Sequence, residues 1–222
     1  MVKNIRRNLY MASLEKSGLE IVAKLMSISA RTAPKSGGID HVHIMVASSS
    51  KQKSIAGMMK KVAEQICQKL PNSKLGNAIK EDWESDASSI IESGLLVLIG
   101  VEGRKAIGLN CGGCGFSTCS EMLKHRRISL TEHSLIGPYC IFKVMDLSIA
   151  SASAVKTAME HNVDNRMMYK AGVAALKLGI LNPCDLIMGI PLSATGKNIY
   201  FDRTDKLDAW KVIKSNKNNK EP

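Results

Sequence analysis

The chain has 222 residues, 45% of them hydrophobic and 23% charged, with a formal charge of +11. That is ordinary for a globular protein with one sizeable core or two small ones, and it excludes a membrane-spanning chain: the most apolar run, Leu95–Val101, is far too short. With aromatics at 4% and 12 methionines, the core is expected to be aliphatic and Met-filled. The charge raises nucleic acid as a partner, but no helix carries a dense Arg/Lys stripe and no aromatics interleave with the cations, so none is expected.

The N-terminus, MVKNIRRNLYMASLEKSG, has positive charge but no continuous apolar stretch, so a secretory signal is not expected. The expected location is the cytoplasm, with the six cysteines reduced. From Ala12 to Arg31, Leu14, Val22, Leu25, Met26 and Ile28 recur at helical spacing. A loop with Pro34, Gly37 and Gly38 follows, and DHVHIMVAS then alternates like a strand. KQKSIAGMMKKVAEQICQKL predicts a second helix, and a third runs from about Asn77 to Glu92 into the Leu95–Val101 strand. After a glycine–cysteine segment, KVMDLSIASASAVKTAMEHN predicts a helix with a face of small residues, Ala150 to Ala154. A further helix, Asn165 to Leu178, is expected to end at Gly179 as a C-cap. CDLIMGIPLSATGKNIYFD supplies the last strand and its exit loop. Helices dominate and three or four strands are expected, which makes the class α+β.

Cys111, Cys114 and Cys119 form C-x2-C-x4-C, with Cys140 further on. A zinc knuckle normally pairs two tight C-x2-C units. Three clustered thiols with a fourth delivered from a distance suit a cubane iron–sulfur cluster better. Gly112, Gly113 and Gly115 let the backbone wrap closely around such an object. Between Arg104 and Arg127, five cations face a single acid, Glu121, and that surplus stabilises thiolate and reduced-cluster charge. Zinc and unligated thiols stay open as alternatives, as does His125 or His133 replacing Cys140. Cys67 and Cys184 read as small buried hydrophobes. Asp146 reads as a group capping a neighbouring backbone, with orienting a cofactor as the alternative. SATGKN lacks the glycine and the Ser or Thr of a phosphate-binding loop.

CGGCGFSTC resembles the four-cysteine 4Fe–4S domain of Rnf-type electron-transport subunits and corrinoid iron–sulfur proteins. The resemblance implies a 4Fe–4S cluster on Cys111, Cys114, Cys119 and Cys140.

The remaining chain resembles the flavin-dependent nitroreductases. Arg6 and Arg7 open their N-terminal pattern, ARTAPKSGG matches their A-P-S loop, and MGIPLSATGKN matches their later G-x-P segment. The resemblance implies a central, mostly antiparallel sheet flanked by helices, and a homodimer with its FMN sites between subunits. It makes Arg6, Arg7, Pro34, Lys35, Ser36 and Lys197 the candidate flavin contacts. Asn8, Tyr10 and Ile39–Asp40 depart from the nitroreductase pattern, and these departures bear on flavin binding rather than on the fold.

Taken whole, the chain resembles the ferredoxin-domain proteins of anaerobic bacteria and archaea, through the segment from Cys140 to Val155 and through GIPLSATGKNIYFDR. The expected organisation is one nitroreductase-like domain over residues 1–214. Residues 104–142 would be an inserted 4Fe–4S segment and 215–222 a disordered basic tail. The expected function is electron transfer between a 4Fe–4S cluster and a flavin or bound substrate, with a redox partner protein, as in a flavin-dependent oxidoreductase. The competing expectation is a non-catalytic iron–sulfur or zinc module docking on a larger redox complex.

Overall fold

A computed structural model describes residues 2–70, 73–128, 135–201 and 211–212, with residues 2–12 as backbone alone. The expected boundary at residue 214 and the tail 215–222 lie outside the described residues, as does His133.

The elements run α1 (Val2–Thr32), β1 (Val42–Ala47), α2 (Ser49–Lys69), α3 (Lys74–Glu92), β2 (Leu95–Val101), α4 (Cys119–Lys124), α5 (Ile141–Glu160), β3 (Asp164–Asn165), α6 (Tyr169–Lys177) and β4 (Leu186–Ser193). Side chains set several of these limits. Ser48 Oγ accepts from Lys51 N–H and Ser73 Oγ from Gly76 N–H, so α2 and α3 begin at satisfied N-caps. Gly179 takes φ +65° beyond α6; its N–H bonds Leu176 O, and Ile180 N–H bonds Ala175 O. Those two bonds are a Schellman stop, as the sequence predicted.

The four strands lie in the order β1-β2-β4-β3, and every pair is antiparallel. β2 is central, which explains its unbroken apolar sequence: both of its faces are covered. Leu96 and Leu98 pack with α2, α3 and α6, around Ile55, Met59, Trp83, Ile90 and Ala174. Val97, Ile99 and Val101 pack with α1 and α5, around Met26, Ala30, Leu147 and Ala154. Each such aliphatic side chain contributes about 1.5–3 kcal/mol by leaving water. The core is aliphatic and Met-rich as expected, with Trp83 and Tyr200 its fully buried aromatics.

Three expectations need correction. α1 extends back to Val2, ten residues before the predicted start. The helix predicted from Asn165 begins at Tyr169, because Asn165 pairs with Leu192 and Met168 exchanges two backbone hydrogen bonds with Gly189. The sheet claims those residues first. Cys67 is half-buried, with its Sγ 3.7 Å from Asn77 Oδ1, whereas Cys184 is buried as predicted.

The small residues of α5 are settled by packing. Ala150 and Ala154 are fully buried against the sheet and α1, and Ser153 Oγ donates to Ser29 O. Ala152 alone among Ala150–Ala154 is exposed. The small face lets α1 and α5 approach within one chain.

Candidate metal centre

The segment carrying three of the four cysteines leaves the sheet at the Val101 end of β2. Gly103 anchors its start. The Gly103 N–H donates to Asp185 Oδ1 at 2.5 Å, and its carbonyl accepts from Cys140 N–H at 2.8 Å. No side chain fits there: a Cβ would stand 2.7 Å from the Tyr139 ring and 2.9 Å from Asp185 Oδ1. Tyr139 closes the far side, donating from its hydroxyl to Asp185 O and accepting from Ile136 N–H. Burial pushes the Tyr139 hydroxyl and the Asp185 carboxyl above their ordinary pKa values. Cys140 is thereby fixed as the N-cap residue of α5, with 4% of its surface exposed.

The loop itself is shaped by glycines with positive φ, Gly112 at +72° and Gly115 at +85°, and by a Gly115 N–H to Gly112 O turn. Asn110 Oδ1 accepts from Cys119 N–H at 2.8 Å, drawing both ends of the cysteine loop together. Cys119 opens α4, whose N-cap Thr118 accepts from Glu121 N–H; Glu121 Oε2 accepts from Ser117 N–H. Thr118-x-x-Glu121 is a capping-box signature, and this short helix was legible in the sequence although not predicted. Arg104 was counted only as charge, yet its guanidinium donates to the carbonyls of Met122, Leu123, His125 and Pro138. One side chain thus clamps the end of α4 to the segment leading into Cys140.

The loop also meets α5 directly. A Cβ on Gly113 would lie 2.9 Å from Ile141 Cγ2 and 3.7 Å from Cys111 Sγ. The fold therefore brings the Cys111–Cys119 loop to the first turn of α5, where Cys140 sits. All six cysteines are free thiols; Cys111 is exposed, Cys114 and Cys119 half-exposed. The donor set and its glycine-rich backbone fit a thiolate-ligated cluster in chemistry. Among the described residues, no three His, Cys, Asp or Glu side chains stand close enough together, as folded, to hold a metal ion. Holding a cluster would require these thiols to draw closer together than they stand as folded.

Cys184 packs against Gly100 of β2, whereas His125 lies against the loop. Burial, then the nearby Glu102 and Asp185 charges, push the Cys184 thiol up to about 12. The His125 ring packs on Phe116 at 5.1 Å, and its Nδ1 lies 2.9 Å from the Arg126 carbonyl.

The predicted flavin contacts fall into two groups. Pro34, Lys35 and Ser36 follow α1 at the Val101 end of the sheet, near Val42, which pairs with Val101. Lys197 follows β4 at the other end, where Leu192 pairs with Leu95. Arg6 and Arg7 lie on the first turns of α1, with side chains outside the described residues. α1 passes Gly94 with Leu19, so its N-terminal turns extend past the Leu95 end, about 1.5 Å per residue. A single chain does not bring the two groups together. Lys35 Nζ donates to the carbonyls of Ala30, Arg31 and Ala33, capping α1; Pro34 and Lys197 are exposed.

Ser36 joins α5. Its N–H and Oγ both donate to Asp146 Oδ1 at 2.7 Å, while Asp146 Oδ2 pairs with Lys143 Nζ at 2.7 Å. Lys143 also donates to Ile39 O. Asp146 thus caps a neighbouring backbone, as the sequence reading held. Burial would raise its pKa, but the Lys143 and Ser36 hydrogen bonds prevail and hold it below the usual carboxylate value.

Comparison with known proteins agrees with this architecture. The BluB-like flavoprotein from Clostridium difficile 630 superposes with a TM-score of 0.54 at 14% identity, covering 80% of this chain and 81% of that one. A nitroreductase with bound FMN from Desulfitobacterium hafniense DCB-2 gives 0.49 at 10% identity, covering 79% and 78%. The fold is α+β and shared with that BluB-like flavoprotein. A family described as "uncharacterized protein containing a ferredoxin domain" matches residues 136–203, a span that includes Cys140 but not the other three cysteines. A ferredoxin domain suggests a redox role and an iron–sulfur group. Among the described residues, no helix is long and apolar enough to cross a membrane. An uncharacterized protein of Archaeoglobus fulgidus is 40% identical over 192 residues, 86% of this chain and 95% of that protein. With that identity over nearly the whole length, the chain belongs to one family with the Archaeoglobus fulgidus protein, and its residues 136–203 match the family described as containing a ferredoxin domain.

Proposed function

We propose that this chain is an iron–sulfur redox protein in which Cys111, Cys114, Cys119 and Cys140 hold a 4Fe–4S cluster that exchanges electrons with a flavin or bound substrate. The observation that carries the reading is the start of α5. Its N-cap is Cys140, its first turn meets the cysteine loop at Ile141, and its second turn holds the Pro34–Ser36 loop through Asp146. Six residues separate Cys140 from Asp146, an axial rise of about 9 Å. The residues proposed for the two cofactors thus flank one rigid helical segment. A cluster would supply one-electron exchange; the chain's part is to present four thiols, exclude water at Cys140 and fix the loop against α5.

The working form in this reading is a homodimer. Leu14, Ile21 and Ile28 on α1 are exposed at seven-residue spacing, opposite the buried Leu19, Val22, Met26 and Ala30. Ile141, Met145, Ile149 and Met159 are likewise exposed on α5, which packs beside α1. A second copy covering this apolar surface would bring its Arg6, Arg7 and Lys197 end toward the Pro34–Ser36 end of the first. Without it, the six candidate flavin contacts stay apart.

One observation favours the second reading, a non-catalytic iron–sulfur or zinc module. Lys35 and Ser36 are already committed to hydrogen bonds within the chain. The absorption spectrum of anaerobically purified protein, before and after dithionite, separates the readings. A broad band that bleaches, with flavin peaks above it, is the expected result; the band alone selects the module. Colourless protein with one zinc per chain would end the redox reading. Cys111→Ser, Cys114→Ser and Cys119→Ser are each expected to lose most bound iron, and Cys140→Ser much of it. Full iron in Cys140→Ser, with loss in His133→Ala, would show a different ligand set.

A further inference from the structure

Lys105, Lys124, Arg126 and Arg127, all in the segment between β2 and α5, are exposed. Arg127 turns toward a carboxylate, Asp185 Oδ2 at 3.7 Å. Lys105, Lys124 and Arg126 have no ion pair among the described residues, and Glu121, the one acid between Arg104 and Ile128, bonds the Ser117 N–H. The same segment carries three large apolar side chains exposed to solvent: Leu109 (62% exposed), Leu123 (45%) and Ile128 (46%). The Arg104 clamp and the Asn110–Cys119 bond hold this segment together around the exposed Cys111. Cations without an ion pair, set among partly exposed leucine and isoleucine, are not explained by packing within the chain. An apolar centre with a charged rim is how a protein-binding surface is built.

We propose that this patch docks an electron-carrier protein presenting an acidic face, an inference that rests on the redox reading above. The exposed apolar side chains favour a protein over a nucleic acid, whose phosphates would use the cations and leave the leucines in water. Single strands need aromatic platforms, whereas Phe116 is packed on His125 and Tyr139 is bonded to Ile136 and Asp185. The formal charge of +11 adds long-range attraction for an acidic partner.

The test is calorimetric titration of the purified protein with a small acidic ferredoxin as probe, with iron measured on the same sample. Affinity is expected to fall about tenfold or more as salt rises from about 0.01 to about 0.1 M, which shortens the screening length from ~30 to ~10 Å. Lys105→Glu/Lys124→Glu/Arg126→Glu is expected to abolish binding, and Lys53→Glu/Lys60→Glu on α2 to leave it unchanged. Three reversals can disturb the segment, so the neutral variant Lys105→Gln/Lys124→Gln/Arg126→Gln accompanies them, expected to bind with a shallower salt dependence. Salt-independent association, equal loss in the α2 variant, or binding of a DNA probe through the same cations without ferredoxin binding would overturn the proposal. Iron-loaded protein that fails to associate sinks the docking surface alone. Iron-free protein that docks in a salt-sensitive way leaves the surface standing and sinks the cluster reading.

Discussion

Ser36 and Asp146, 110 residues apart in sequence, are joined by two hydrogen bonds of 2.7 Å, from the Ser36 N–H and from its Oγ. The loop after α1 is thereby locked to the second turn of α5. The carboxylate's other oxygen holds Lys143, and both side chains of that ion pair are essentially out of solvent.

Removing one partner of a buried pair strands the other. Lys143→Met is expected to destabilise the fold by about 3–5 kcal/mol in urea unfolding, and Lys143→Met/Asp146→Leu by less. A double variant no more stable than the single one would refute the pairing argument. The pH dependence has a definite sign. Asp146 ionises more readily folded than unfolded, so the unfolded chain takes up the proton first. The stabilisation is complete above the unfolded Asp value of about 4 and is lost as pH falls through the lower folded value. Asp146→Asn should lack that acid-dependent component.

Gly103→Ala places a Cβ against Tyr139 and Asp185 at the point where the chain leaving β2 meets the segment leading into Cys140. Overpacking of this kind costs about 1–3 kcal/mol. The expected outcome is a disproportionate drop in bound iron, with a core that still unfolds cooperatively. Undiminished iron per chain would show that Gly103 does not position Cys140.

Arg104→Ala removes donors from four carbonyls and leaves the end of α4 uncapped. Iron loss to a chelator is expected to accelerate by about tenfold, corresponding to roughly 1.4 kcal/mol of lost local stability. Arg104→Lys should not rescue it, because an ammonium lacks the planar fork that spans several acceptors. Full rescue by lysine would mean that charge alone matters.

Cys184, with its thiol pushed up to about 12, should resist iodoacetamide at neutral pH in the folded protein. Peptide mapping after brief alkylation of iron-free protein should find Cys111 modified, since it is exposed, and Cys184 intact. Early modification of Cys184 would contradict its burial beside Glu102 and Asp185.

Local physics made much of this protein legible in its sequence. Helical periodicity announced α1, although of its predicted stripe Val22 and Met26 are buried while Leu14 and Ile28 face solvent; the unbroken apolar run announced a buried strand, and Gly179 marked a helix stop. The cysteine spacing and its glycines identified the candidate ligand segment, because loop chemistry is written in neighbouring residues. Long-range contacts decided the rest. Tyr169 starts α6 only because β4 captures Asn165 and Met168. Ala150 and Ala154 read only as part of a small-residue face until α1 and the sheet cover them. Arg104 reads as one more cation until four carbonyls converge on it, and Lys35 and Ser36 read as free contacts until α1 and Asp146 engage them. Periodicity records which face of an element is apolar; which element covers that face, and which polar group meets which, is fixed only when distant segments pack.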